Sequence, residues 1–125
     1  MDANKKTVLI VDDDALVLES MDLLLSMDEG FQCIRAQGAT GAASHLQQAP
    51  VDVIVADVIL AGNVSGIDIC HKAIENHPAI ATVVISADNE VQHADISPQS
   101  VFLRKPFGGE QLLKAIHEAL LRVSR

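Results

Sequence analysis

Asp57 closes the apolar run Val53-Ile54-Val55-Ala56. A carboxylate at the end of such a run must be solvated, paired or metal-bound, because an isolated buried charge is too costly. Other runs end in the same way. Val8-Leu9-Ile10-Val11 leads into Asp12-Asp13-Asp14, Ile80 to Ile85 ends at Ser86, and Val101-Phe102-Leu103 leads into Arg104-Lys105-Pro106. If these runs are parallel strands of one sheet, their carboxyl ends share an edge. Acids, a hydroxyl and an ammonium then converge there, a suitable set for a metal ion and a phosphoryl group.

The elements that must bring these residues together alternate along the chain. Thr7 to Val11, Phe31 to Ala36, Asp52 to Asp57, Ile80 to Ile85 and Val101 to Leu103 read as strands. Between them, apolar residues recur at helical spacing. Asp13 or Asp14 can cap a helix that runs to about Met27 with Val17, Met21, Leu24 and Leu25 inward, since an acceptor there satisfies free backbone N–H groups. Thr40 can cap a small-residue helix ending before Pro50. Ile67 to Asn76 reads as a helix with Ile67, Cys70, Ala73 and Ile74 inward. Ala87 to Gln99 has only weak helical periodicity. Gly108-Gly109 opens a last helix with Leu112, Leu113, Ile116, Leu120 and Val123 on one stripe. Strands alternating with helices imply a parallel sheet covered on both faces, and strands buried on both faces read as unbroken apolar runs. Ligands of such sheets bind beyond the carboxyl ends of the strands, where the acids fall.

Composition narrows the function classes. A chain of 125 residues fits a single domain over 1–125 with one core, and 49 % hydrophobic residues supply it. Aromatic residues are 2 % (Phe31, Phe102 and Phe107), which argues against stacking on exposed bases. A net charge of −8 without a basic stripe argues against direct nucleic-acid binding, which needs clustered Lys and Arg. Cys33 and Cys70 fall in a strand and a helix and read as small hydrophobes rather than a disulfide. His45, His71, His77, His93 and His117 show no ligand spacing and read as solvent-facing. No run is long enough to span a bilayer and no signal core is present, so a cytoplasmic protein without membrane association is expected.

At the proposed edge, Asp12, Asp13 and Asp57 supply hard oxygen ligands from two strand ends. Few carboxylates suit Mg²⁺, which keeps several waters and shares phosphate oxygens. The alternatives are helix capping by Asp13 or Asp14 and solvation of the rest. Lys105 can stabilise a phosphoryl oxygen, and a cis bond to Pro106 would aim it at the site. Its alternative is an ordinary surface lysine. Ser86 can donate a hydrogen bond to the same phosphoryl group or cap a helix.

Four segments in order, Val8-Leu-Ile-Val-Asp-Asp-Asp14, Asp52-Val-Ile-Val-Ala-Asp57, Val84-Ile-Ser-Ala87 and Leu103-Arg-Lys-Pro-Phe107, make the chain resemble the response-regulator receiver domain of two-component signalling, from Val8 to about Leu121. The resemblance implies a flavodoxin-like, doubly wound, five-stranded parallel sheet in the order 2-1-3-4-5 with five helices. The segment from Ser86 to Lys105 is shorter than the family's usual one, so the fourth helix is expected to be short or irregular. The resemblance also implies that Asp57 accepts a phosphoryl group from a histidine kinase, a phosphotransfer protein or a small donor such as acetyl phosphate. Asp13 and Asp57 would ligate Mg²⁺ directly, Asp12 through water, and Ile59 through its backbone carbonyl. Ser86 and Lys105 would bind phosphoryl oxygens. Ser86 and Phe102 would form a switch that biases the face around the fourth and fifth strands toward a downstream effector domain or protein.

Several departures accompany the match. Ala61 stands where the family often has Pro, and the loop from Asp57 to Gly66 is one residue longer. Ile59 and Asp88 neighbour the phosphoryl position and could tune acyl-phosphate lifetime. Dimerisation through the fourth helix is not expected, so the chain reads as a monomer or weak dimer, with no effector domain and no enzymatic activity beyond its own phosphorylation and dephosphorylation. A small Mg²⁺-dependent phosphatase of the haloacid-dehalogenase type is the alternative, because such enzymes also combine an Asp nucleophile, a Ser or Thr and a Lys. A phosphorylation-independent interaction module on the same fold is disfavoured by the presence of Asp13, Asp57, Ser86 and Lys105.

Overall fold

A computed structural model describes residues 5–60, 65–87 and 96–124. Five strands, β1 (Lys6–Val11), β2 (Phe31–Ala36), β3 (Val53–Asp57), β4 (Ala81–Ser86) and β5 (Val101–Arg104), form one sheet in the order β2-β1-β3-β4-β5. Every pairing is parallel. The helices are α1 (Ala15–Leu25), α2 (Ala39–Gln48), α3 (Gly66–Asn76) and α4 (Gly109–Val123). The helix expected between β4 and β5, the loop position Ala61 and Asp88 lie outside the described residues.

The unbroken apolar runs follow from the two-residue period of a strand. Val8, Ile10, Val53, Val55, Val83 and Ile85 face one core, which Leu18, Met21, Leu25, Leu112 and Ile116 close from α1 and α4. Leu9, Val11, Ile54, Ala56 and Val84 face the other, closed by Ala42 of α2 and by Cys70 and Ala73 of α3. Residues 7–11, 53–56 and 81–86 are thus buried whichever way each residue points. Full burial of one such aliphatic side chain stabilises the fold by about 1.5–3 kcal/mol.

The helix ends show where side-chain chemistry overrides periodicity. Asp14, not Asp13, caps α1, its Oδ1 accepting from the Leu16 N–H at 2.9 Å. The helix stops at Leu25 rather than near Met27. The Ser26 hydroxyl takes the Leu23 carbonyl at 2.7 Å, and Met27 N–H turns back to Leu24 O, which ends the regular ladder. α2 begins at Ala39, so Thr40 lies inside it. Gly38 enters the helix with φ +115°, a conformation that favours glycine. Ser65 caps α3 by accepting from Ile67 N–H at 3.0 Å. The inward faces also differ in detail: Leu18 is buried in α1 while Val17 and Leu24 are only half-buried, and small Ala115 and Ala119 fill the centre of the α4 contact. Small residues let the helix backbone approach the sheet closely, a signal that a search for large apolar residues misses. Arg104 extends β5 one residue beyond the apolar run by pairing with Ser86.

Candidate functional site

Strand order changes direction between β1 and β3, and in α/β sheets the ligand crevice lies at such a point. Asp12 follows β1 and Asp57 ends β3, so the two acids flank that crevice. Asp57 is half-buried. Its Oδ1 accepts from the Ile59 N–H at 3.0 Å, and its Oδ2 accepts from the Lys105 ammonium at 2.5 Å. Lys105 reaches it from the end of β5, 48 residues away in sequence. The Lys105–Pro106 bond is cis.

Asp12 is 6 % exposed. Its Oδ1 accepts from the Asp14 N–H at 2.9 Å, and its Oδ2 lies 4.0 Å from the Lys105 ammonium. Burial holds the Asp12 carboxyl above its ordinary range. The Asp57 charge adds to this, while the Asp14 N–H and Lys105 oppose it. Two carboxylates therefore share one ammonium.

Asp13 is half-buried, and its carboxylate lies on the side of Gly38, where a Cβ would stand 3.6 Å from Oδ1. The Gln37 side-chain amide donates to its backbone carbonyl at 2.9 Å. Ser86 is buried at the end of β4, and its carbonyl accepts from the Lys105 N–H at 3.1 Å. Ile59 pairs with Ser65 in an isolated antiparallel bridge and exposes its side chain by 69 %. Phe102 is half-buried against the core between the sheet and the α2–α3 layer. The structure thus gathers Asp12, Asp57 and Lys105 through direct contacts. Ser86 joins them through the backbone, and Asp13 and Ile59 border them in the chain.

Gly66 is a residue that sequence reasoning placed only in a turn-rich loop. A Cβ there would fall on the backbone carbonyl of Asp57. Its N–H donates to Val58 O at 3.0 Å, and Val58 N–H donates to Ile85 O at 2.8 Å. The first residue of α3 is therefore pressed against the backbone of the central acid. The signal available in sequence was a glycine in the first helical position directly after a capping serine, where conformational freedom alone does not require one.

Among the described residues, no three His, Cys, Asp or Glu side chains form a group that could hold a metal ion by themselves. The donor set is sparser: two neighbouring carboxylates, Asp12 and Asp57, that share one ammonium. This suits Mg²⁺, which takes one or two carboxylates and keeps its waters, rather than an all-protein cage.

Residues 8–117 match the family described as the response regulator receiver domain. The chain is 30 % identical over 118 residues to the heme response regulator HssR of Staphylococcus saprophyticus, covering 93 % of this chain and 52 % of that protein. It is 27 % identical to the phosphate regulon transcriptional regulatory protein PhoB of Pseudomonas aeruginosa, covering 94 % of this chain and 52 % of that one. The chain thus spans about half the length of the curated relatives it matches. A response regulator receiver protein from Sinorhizobium medicae superposes with a TM-score of 0.88 at 26 % identity, covering 98 % of this chain and 100 % of the other. The phosphatase alternative has no support. Its nucleophile would stand on the first strand, whereas the close lysine contact here is to Asp57 on the third, and the matches are to response regulators. The match over most of its length, on the sheet order and edge chemistry just described, makes this chain a member of the response-regulator receiver domain family.

Proposed function

We propose that Asp57 is the phosphoacceptor of this receiver domain and that it takes the phosphoryl group from a histidine kinase or a histidine phosphotransfer protein. The observation that carries this reading is the Lys105 ammonium bonded to Asp57 Oδ2 with Asp12 4.0 Å from the same nitrogen. In the reaction, an Asp57 oxygen attacks phosphorus in line as the bond to the donor breaks, so position and charge are the protein's contribution. Lys105 follows the charge from the carboxylate to a phosphoryl oxygen, and the Ser86 hydroxyl binds another. A bound Mg²⁺ would neutralise charge on the phosphoryl oxygens, held by Asp13 and Asp57, by Asp12 through water, and by the Ile59 carbonyl. Ser86 and Phe102 then shift together and alter the face around β4 and β5, which an effector domain or protein reads. The chemistry is confined to the chain's own phosphorylation and dephosphorylation, with no direct nucleic-acid contact by this domain.

The test is acetyl phosphate with Mg²⁺, followed by intact-mass measurement. One phosphoryl group per chain is expected, sensitive to hydroxylamine as an acyl phosphate and absent in Asp57→Asn. A stoichiometric label that persists in that variant would overturn the assignment.

A further inference from the structure

We infer that Arg104 is a positioning residue for the switch, its guanidinium clasping the Phe102 ring and so holding the β4–β5 face in its unphosphorylated arrangement. Strand register brings the parts together. Val84 pairs with Phe102 and Ser86 with Arg104. Paired residues of neighbouring strands project to the same face, and so do residues two apart on one strand. Ser86, Arg104, Val84 and Phe102 therefore form one four-residue patch, with the phosphoryl-binding hydroxyl at one corner and the ring at the opposite one.

Within the patch, the Arg104 guanidinium carbon lies 5.9 Å from the centroid of the Phe102 ring. A cation at that range is attracted to the negative face of an aromatic ring. The ring is half-buried against the apolar core, and the arginine is exposed. Arg104 stands next to the site in the chain. It is joined to the site through its neighbour Lys105, whose N–H holds the Ser86 carbonyl at 3.1 Å. A ring that moves beyond the reach of the guanidinium gives up this contact. The arginine thereby favours the ring position seen here and opposes the one that phosphorylation selects.

This inference rests on the proposed role of Ser86 and Phe102, and its test separates the two. Fluorine NMR on the chain carrying fluorophenylalanine resolves three ring signals, one for each phenylalanine, with Phe102→Leu assigning the relevant one. Without any phosphodonor, Arg104→Gln is expected to move the Phe102 signal toward its position in the beryllofluoride-treated wild type, with Arg104→Lys in between. Labelling by acetyl phosphate is expected to become about two- to fivefold faster in Arg104→Gln, the range that an exposed cation–π contact supports. A Phe102 signal that stays in place would overturn the inference. So would slower labelling, since it would mean that Arg104 acts only by attracting the anionic donor. If the wild-type chain takes no label, the phosphoacceptor reading fails. The ring signal, recorded without donor, still decides whether Arg104 holds Phe102.

Discussion

At the scale of single residues, the site is a problem of charge. Asp12 and Asp57 compete for the one ammonium of Lys105, and Asp12 is buried enough that its charged form is held only with help from the Asp14 N–H and that ammonium. On the proposed function, a phosphoryl group arriving at Asp57 brings more negative charge, so Lys105 is most valuable during transfer, when its partner changes from carboxylate to phosphoryl oxygen. Lys105→Ala is therefore expected to slow labelling of Asp57 by about 100-fold, the usual cost of removing one preorganised donor in a charge-developing step. Lys105→Arg is expected to recover little of this, because a planar fork cannot replace a compact point charge beside two carboxylates. Labelling time courses with acetyl phosphate test both variants, and an alanine variant labelled at the wild-type rate would remove Lys105 from the mechanism. These residues were legible in the sequence because each ends an apolar run, where a polar group needs a reason to exist. Gly66 and Arg104 were not, because their roles depend on what stands opposite them: a carbonyl in one case and an aromatic face in the other.

At the scale of elements, α3 is what fixes the height of Asp57. Gly66 lies against the Asp57 carbonyl, Ser65 caps the helix beside it, and the Val58 amide continues the β3–β4 ladder past the acid. The added methyl group of Gly66→Ala meets the Asp57 backbone, and backbone cannot rotate away as a side chain can. The expected outcome is a loss of about 1–3 kcal/mol of stability, the range for forcing extra volume into a packed position. Labelling of Asp57 should fall as well, because the helix must retreat from the strand that carries the proposed acceptor. Urea denaturation followed by circular dichroism measures the first effect, and stability within about 0.5 kcal/mol of wild type would show that the loop yields freely. The strands were read almost to the residue because burial on both faces leaves no polar break in Val8–Val11 or Val53–Ala56. The helix ends were read less well. Ser26 stops α1 through a hydroxyl bond to Leu23, and Gly38 starts α2 through a positive φ, both local geometries that outrank the apolar repeat.

At the scale of the molecule, the sheet separates two apolar layers, and each holds one thiol: Cys33 at the edge of the α1–α4 layer and Cys70 inside the α2–α3 layer. Both are free. Burial pushes the Cys70 thiol up from 9.0 to about 12. Burial, followed by the Asp22 charge, does the same for Cys33, also to about 12. In the unfolded chain the thiols ionise near their ordinary value, whereas the folded chain keeps its protons. The folded state therefore binds more protons in the window from about 9 to about 12, so this stability is complete below that window and declines as pH rises through it. The chain has no tyrosine, which leaves lysines as the main other groups titrating there. The wild type is expected to lose stability more steeply across this window than the Cys33→Ala, Cys70→Ala double variant, as read from urea midpoints at stepped pH. Equal slopes would show that neither thiol is held protonated by the fold. The same burial leaves both sulfurs poor nucleophiles in the folded protein. Iodoacetamide at about pH 8 is therefore expected to label neither until urea unfolds the chain.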